Sequence, residues 1–351
     1  EIRILKNGRT YLNYCVHGKK QPVPEAAACP PEPQDCATTE DLYLYGLHIE
    51  QYRHATYQPE DYYLEGLRRD PTDMRLNNAY GLLLLRRGDF KNSEKYFRTA
   101  IQKATRSNPN PYDGEPYYNL GLSLWYQNRL EESYDAFYKS AWCQACQEAA
   151  FYYLACICAR KGEPEQALEH LENAIIRNAR NYRALDLKAL LLLKLGHTQQ
   201  AVALAKQVAS LDPLDVISRR ILGENTLCRP DTAIEIALEY AAGGFYPAAI
   251  QILEETKEKT PLVFYHLAHF YKETGDGKKC HQYLQAASEA DSYLCFAHRL
   301  EDMQVLEEAA DESAGDALAR YYLGCLYYDK KRCNEAICAW EACTALLPDY
   351  P

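Results

Sequence analysis

The densest run of chemically capable side chains lies between residues 48 and 54. It contains His48, Glu50, Gln51, Arg53 and His54. Because Glu50 and His54 are four residues apart, a helix would place the carboxylate and the imidazole on one face. Such a pair could carry out acid–base chemistry or hold a sugar. The structural alternative is that these side chains cap a first helix and dock it on another domain.

A second polar stretch, residues 108–115, reads NPNPYDGE and concentrates the residues that form turns. Ordered loops of this kind often carry function, so Asp113 and Glu115 could meet a ligand at the mouth of a groove. Alternatively, Asp113 caps a helix that begins near Glu115, because a carboxylate can accept hydrogen bonds from unpaired N–H groups at a helix start.

Aromatic residues follow this loop closely. Four of them, at positions that should face the concave side of a helical array, have rings suited to peptide or carbohydrate contacts: Tyr118, Trp125, Tyr126 and Tyr152. The structural alternative is packing between successive helices.

The chain has 14 cysteines, but their placement does not indicate a disulfide framework. Such frameworks stabilise short secreted chains that lack a core, so we expect a reducing, cytoplasmic location for this long chain. No second C-x-x-C follows at zinc-finger spacing, and free cysteine packs as a small apolar residue. We therefore predict core thiols within helices at Cys143, Cys146, Cys156, Cys158, Cys333, Cys338 and Cys343.

Motifs for catalysis or cofactors are not found in the sequence. The His and Glu spacings near residue 50 do not fit H-E-x-x-H, and no phosphate-binding glycine loop, G-x-S-x-G or kinase signature is present. His266, His269 and His281 form no visible constellation. We predict no metal, no cofactor and no self-contained active site, and whether the chain serves an enzyme stays open.

The elements that position these residues are defined by a repeat. Gly121, Ala155 and Ala189 recur at intervals of 34 residues, which is the tetratricopeptide period of two antiparallel helices. Small residues at these positions allow close helix approach, while larger ones such as Phe137 fill the layer between repeats.

The predicted fold is therefore all-α: a right-handed superhelical solenoid of tetratricopeptide helix–turn–helix repeats, with a short extended or β segment at its start. We count eight clear repeats. The predicted division is a remnant of a preceding β-rich domain at 1–20, a Pro/Ala-rich linker at 21–40, five repeats at 41–213, and further repeats at 214–351 with irregular joints near 214–229 and 290–316.

Charge and hydropathy exclude two classes of partner. The net charge of −10 and the absence of a basic cluster argue against nucleic acid. No apolar run is long enough to span a membrane.

The runs LYLYGLHIEQYRHAT, RRDPTDMRLNNAYG, NPNPYDGE and AFYKSAW resemble a family of long bacterial proteins. In that family a β-rich, carbohydrate-enzyme-like N-terminal half of unknown function precedes a tetratricopeptide half. The resemblance implies that this chain is the C-terminal half. It also implies that the 48–54 stretch, with Asp113 and Glu115, lies near the junction with the other half.

Two functional hypotheses follow. The first is a non-catalytic binding and scaffolding module whose concave groove holds a peptide, a sister domain or a saccharide. The alternative is an accessory half of a carbohydrate-active enzyme, in which His48, Glu50 and Arg53 contribute to a shared site. The Lys and Asn pattern of chaperone-binding repeats is largely missing, and the oligomeric state is not defined by the sequence.

Overall fold

The computed structural model describes residues 1–15, 29–224 and 226–348. Strands β1 (Ile2–Lys6) and β2 (Arg9–Tyr14) pair antiparallel. Asn7 and Gly8 join them with φ angles of 51° and 75°, the backbone that a two-residue hairpin turn needs. The prediction of a short β segment is confirmed. Residues 16–28, which include the start of the predicted linker, lie outside the described part.

Eighteen α-helices follow in the described residues. In chain order they are α1 (Thr39–Tyr52), α2 (Pro59–Arg69), α3 (Met74–Arg86), α4 (Phe90–Ala104), α5 (Glu115–Tyr126), α6 (Leu130–Ser140), α7 (Gln147–Lys161), α8 (Pro164–Arg177), α9 (Tyr182–Lys194), α10 (Thr198–Leu211), α11 (Val216–Ile221), α12 (Pro230–Ala242), α13 (Tyr246–Glu255), α14 (Pro261–Glu273), α15 (Gly277–Glu289), α16 (Leu300–Glu312), α17 (Ala317–Asp329) and α18 (Cys333–Leu346).

Sixteen of these helices form eight consecutive hairpins, so the chain is an all-α helical-repeat solenoid, as predicted. Helices α11 and α16 are the two without a hairpin partner. They lie within residues 214–229 and 290–316, where the 34-residue pattern loses its phase.

Local sequence explains where the helices start and turn. Thr38 and Asp41 form a reciprocal capping box at the start of α1, which satisfies unpaired N–H groups of the first turn. Asp73 caps α3 with a single hydrogen bond, accepted from the Leu76 N–H at 2.9 Å. The turn after α7 is made by Gly162 at φ 79°, a conformation that glycine adopts without strain.

In several hairpins a small residue on the first helix faces a larger one 16 positions later. Gly81 faces Phe97, Gly121 faces Phe137, and Gly324 faces Trp340. Where the small residue is Ala155, the facing position holds Leu171, and both are buried in one core. The close approach expected from the repeat is thus reached by matching volumes across these four hairpins.

Residues 31–36 pack against α2 rather than extending freely. Pro33–Asp35 forms a short 3₁₀ turn. Arg69 donates to the carbonyls of Pro33 and Cys36 at 3.2 and 2.6 Å, and the Tyr62 hydroxyl donates to the Pro31 carbonyl at 2.8 Å. This end of the predicted linker is therefore fixed to the first hairpin.

Three of the thiols that were predicted to lie in the core are partly or fully exposed. Cys143 is half-buried and stands at the start of a 3₁₀ turn between α6 and α7, so it is not inside an α-helix. Cys333 and Cys338 are exposed because no later helix among the described residues covers the outer face of α18. Cys156 and Cys158 are buried within α7 and Cys343 within α18. Cys146 is also buried, but it lies in the 3₁₀ turn before α7 and so, like Cys143, is not inside an α-helix.

The joint after α10 contains two neighbouring carboxyl groups, one buried and one partly exposed. Asp186 of α9 is buried, accepts a hydrogen bond from the Ser218 hydroxyl at 2.8 Å, and lies beside Asp215, which caps α11. Burial raises the pKa of Asp186 to about 8, and the Asp215 charge adds to the effect. The folded chain therefore favours a proton on this pair.

We expect Asp186→Asn to raise the melting temperature by about 2–4 °C at pH 8.5 and to leave it nearly unchanged at pH 4. The folded pKa of Asp186 is raised, so its stabilising contribution is complete below the unfolded value of 3.8 and is lost as pH rises through about 8. Thermal melts at both pH values check this, with the exposed Asp311→Asn as control. A variant that is less stable than the parent at pH 8.5 would contradict it.

Candidate functional site

The two polar stretches of the sequence meet at one cavity of about 670 Å³ between α1, α3 and α5. Glu50, Gln51 and Arg53 line it from the end of α1, and Asp113 and Glu115 line it from the loop before α5. Residues on α3 complete the wall: Met74, Arg75, Asn78, Ala79, Leu82, Leu83 and Arg86. The hairpin stacking thus brings side chains more than 60 positions apart in sequence into one space.

At one end of the cavity, both carboxylate oxygens of Glu50 have partners. Its carboxylate forms an ion pair with Arg86 and accepts a hydrogen bond from the Tyr63 hydroxyl at 2.9 Å. Burial and the Glu50 charge raise the pKa of Tyr63, so the phenol stays a hydrogen-bond donor. Glu50 therefore acts here as an anchor between α1, α2 and α3.

The other end is built around Tyr43. The Arg75 guanidinium lies 4.9 Å from the centre of the Tyr43 ring and pairs with Glu40. Burial raises the pKa of Tyr43, and the charges of Glu115, Glu40 and Asp113 raise it further. This result places those carboxylates within electrostatic reach of the same phenol.

A chain of hydrogen bonds fixes the loop before α5. Asp113 Oδ1 accepts from the Glu115 backbone N–H at 2.9 Å, while the N-cap position of α5 itself is Gly114, which provides no side-chain cap. Asn119 donates through Nδ2 to Asn78 Oδ1 at 3.0 Å and reaches Glu115 Oε1 at 3.5 Å. The side chains of Asp113 and Glu115 nevertheless line the cavity.

The two histidines of the first stretch do not line the cavity. His48 is exposed, and its ring centre lies 4.5 Å from that of Tyr52. His54 is also exposed, and its Nδ1 accepts from the backbone N–H groups of Thr56 and Tyr57 at 3.3 Å. The expected Glu50–His54 pairing is not formed, because α1 ends at Tyr52 and Arg53 adopts a left-handed backbone.

The four predicted groove aromatics are packed or covered. Tyr118 contacts Phe137 and Tyr153, with ring centres 5.6 and 6.4 Å apart, and Tyr152 is buried. Trp125 is covered by the Arg160 guanidinium at 4.2 Å from its ring centre. These contacts are the inter-helix packing that the sequence left open as an alternative.

Helix α16 covers the fourth, Tyr126. The Tyr126 hydroxyl donates to Glu301 at 3.0 Å, and the Gln304 amide donates to the Tyr126 carbonyl. Burial and the Glu301 charge both raise the pKa of Tyr126. A space of about 170 Å³ remains between these elements, so the aromatic groove is narrow where the sequence predicted an open surface.

Two further contacts close the solenoid on itself. Arg332, at the start of α18, donates to the Gly88 carbonyl at 3.2 Å. Arg160 donates to the carbonyls of Ala241 and Ala242 at 3.1 and 3.0 Å. The turns at the ends of α3, α5 and α7 thus rest on the C-terminal repeats.

Two of the three histidines for which the sequence showed no constellation have carboxylate partners on α16. His266 Nε2 lies 2.9 Å from Asp302 Oδ1, and His269 Nδ1 lies 2.9 Å from Glu308 Oε2. Sequence spacing gave no signal for these pairs, because the partners lie in the stretch that breaks the repeat pattern.

The described residues contain no group of three His, Cys, Asp or Glu side chains arranged to hold a metal ion. Among the described helices, none combines the length and the apolar character needed to cross a bilayer. The cavity between α1, α3 and α5 offers hydrogen-bonding groups and charges. One of its carboxylates, that of Glu50, is already paired with Arg86 and Tyr63.

Comparisons with known proteins give the following matches. A family model described as tetratricopeptide repeat matches residues 60–111 and 152–216. PilF of Pseudomonas aeruginosa is 16% identical over 78% of this chain and 97% of that chain, with a TM-score of 0.40. YrrB, described as a TPR protein with an unusual peptide-binding site, is 15% identical over 64% of this chain and 97% of its own, with a TM-score of 0.38.

The human IFIT1 dimer with m7Gppp-AAAA is 15% identical over 89% of this chain and 72% of that chain, with a TM-score of 0.41. The family match covers both a stretch around the cavity and a central stretch, and both coincide with helical hairpins of the structure. The 34-residue period, the hairpins and the family match agree on tetratricopeptide repeats at residues 60–111 and 152–216.

Proposed function

We propose that the chain is a non-catalytic binding and scaffolding module that holds a peptide segment in the cavity between α1, α3 and α5. Tetratricopeptide arrays present extended curved surfaces and commonly serve protein interaction. The observation that carries the proposal is the convergence of both polar stretches on one open space of about 670 Å³. A partner domain that inserts a loop there would use the same contacts.

The inner groove is less suited to this role. Tyr126 is bound to Glu301, Trp125 is covered by Arg160, and the remaining space is about 170 Å³. A ligand for the groove aromatics would first have to displace α16. The cavity near α1 needs no such rearrangement.

The carbohydrate alternative rests on the same cavity. Glu50 and Arg53 line it beside Tyr43, and carboxylates and tyrosine rings are groups that bind sugar hydroxyls. Against a catalytic role, Glu50 is held by Arg86 and Tyr63, and His48 does not line the cavity. Thermal-shift measurements with oligosaccharides, and with the proposed N-terminal β-rich half expressed separately, distinguish a saccharide ligand or a docked sister domain from a peptide.

Filling the cavity should abolish peptide capture. We expect nine-residue peptides selected from a random display library on the parent chain to bind Ala79→Phe at least about tenfold more weakly, because Ala79 lines the cavity wall. Fluorescence anisotropy of one selected peptide measures the change. Gln51→Trp, at the exposed rim, tests the same point with little risk to folding.

Ala345→Phe is the matched control, because it makes the same change at an exposed position on α18. The parent and control should bind with equal affinity, and the melting temperatures of all variants verify folding. A library that yields no binder, or binders unaffected by both cavity variants, would refute the proposed function.

A further inference from the structure

The charges of the cavity are not balanced at its Tyr43 end. Arg75 is neutralised by Glu40. Asp113 and Glu115 line the cavity, and neither has a cationic partner among the described residues. Asn119 lies within 3.0 Å of Asn78 Oδ1 and 3.5 Å of Glu115 Oε1, and Asn78 is about one helical turn from Arg75 on α3, so the loop before α5 adjoins that end. This end therefore carries excess negative charge.

The opposite end carries the opposite sign. Glu50 and Arg86 neutralise each other. Arg53, three residues after Glu50, lines the cavity, and its guanidinium has no partner in the described part of the chain. An exposed guanidinium without a partner is available to a carboxylate from outside.

The two ends are separated by the length of α1 between Tyr43 and Arg53. Ten residues of α-helix span about 15 Å. In an extended peptide, residues i and i+4 lie on the same face about 13 Å apart. A lysine side chain covers the remaining distance, so one extended segment can reach both ends.

A buried amide lies between these ends. Asn78 is 9% exposed and lines the cavity. Its Oδ1 accepts from Asn119, which leaves its Nδ2 without a partner among the described residues. An N–H donor of this kind can bind a carbonyl of an extended chain.

From this arrangement we infer that the cavity recognises an extended peptide segment with a basic side chain and an acidic side chain four positions apart. The basic group lies between Asp113 and Glu115, beside the Tyr43 ring. The acidic group pairs with Arg53. This inference rests on the proposed function and specifies the partner of the same site.

The test uses four display libraries of nine-residue peptides with two fixed positions four residues apart and the rest random. One library carries Lys and Glu in both orders, because the direction of the peptide is open. The others carry Gln and Gln, Lys and Lys, or Glu and Glu. Recovery is measured on the parent, on Asp113→Asn/Glu115→Gln, on Arg53→Gln, and on the control Asp135→Asn/Glu169→Gln, which removes two exposed charges elsewhere.

On the parent and the control, we expect the Lys/Glu library to be recovered about tenfold above the Gln/Gln library. The advantage of Lys should fall about threefold or more in the Asp113/Glu115 variant, and the advantage of Glu should fall in Arg53→Gln. Equal recovery of all libraries on the parent, or an advantage that survives both variants, would overturn the inference.

The two proposals fail in different ways. Selected peptides that lose binding in Ala79→Phe but show no charge pair would leave the proposed function standing and refute the charge pattern. If no library yields a peptide sensitive to Ala79→Phe, both fail.

Discussion

Replacing Asp302 with alanine should destabilise the contact between α14 and α16 by about 3–5 kcal/mol. Asp302 and His266 are both 0% exposed, and His266 Nε2 lies 2.9 Å from Asp302 Oδ1. The second carboxylate oxygen accepts from the backbone N–H groups of His298 and Arg299 at 3.0 and 3.1 Å. One side chain therefore joins two helices and caps one of them.

Removal of the carboxylate would leave buried polar groups without partners. The other nitrogen of His266, Nδ1, is buried and has no partner in the described part of the chain. In the alanine variant both nitrogens of the His266 imidazole would therefore be buried without a hydrogen-bond partner. Leaving a buried polar group unsatisfied costs more free energy than the loss of the contact itself. Arg299, itself buried, would lose its nearby carboxylate as well.

Hydrogen–deuterium exchange of the α14 and α16 amides is the measurement, because repeat proteins open locally. Glu308→Ala is the matched control. It breaks the partly exposed pair with His269, which lies about one turn further along α14 and nearly two turns further along α16, and should cost below about 1 kcal/mol. Equal protection in the two variants would show that the buried pair carries no special stability.

The pair of Asp302 and His266 also makes the stability of the α14–α16 contact depend on pH at acid pH. Burial alone would raise the pKa of Asp302, but the hydrogen bond and charge of His266, together with the backbone N–H groups of His298 and Arg299, outweigh it and lower the pKa to about 2. The stabilisation is therefore complete above the unfolded value of 3.8 and is lost as pH falls towards 2. In Asp302→Ala, the protection of the α16 amides, relative to the intrinsic exchange rate at each pH, should lose this dependence on pH.

The second large effect is expected from Gly121→Val, at about 3 kcal/mol of destabilisation. A Cβ atom at Gly121 would lie 2.7 Å from two ring atoms of Phe137. Phe137 is fully buried between α5 and α7, so its ring has no free space to move into. Gains in helix propensity over glycine are below about 1 kcal/mol and do not compensate.

Urea denaturation of the full chain and exchange of the α5–α6 amides measure the loss. Gly277→Val is the control, because a Cβ there meets nothing within 4 Å. If Gly121→Val is as stable as this control, the volume matching between positions 16 residues apart does not hold the hairpins together.

The repeat pattern predicts the hairpins well because the responsible contacts are local in sequence. Gly121 and Phe137 belong to one hairpin. Ala155 and Leu171 repeat the arrangement in the next hairpin, with alanine in place of glycine and leucine in place of phenylalanine. The same locality predicts that α1, α3 and α5 stack in order. That stacking brings Glu50 and Asp113 to one cavity.

The closure of the solenoid could not be predicted in this way. A repeat array is expected to contact only its neighbours, whereas Tyr126 binds Glu301, 175 positions away, and Arg332 binds Gly88, 244 positions away. The path of the chain between them depends on α11 and α16, which break the period. From the sequence, the groove was therefore predicted to be open, and no partner was predicted for His266.

The account depends most on the location of the binding site. The direct measurement is the affinity of one library-selected peptide for Ala79→Phe and for Trp125→Ala, each verified as folded. We expect at least about tenfold weaker binding to Ala79→Phe and a change within about twofold for Trp125→Ala. Full affinity for Ala79→Phe, with loss in Trp125→Ala, would contradict the account and place the ligand in the aromatic groove.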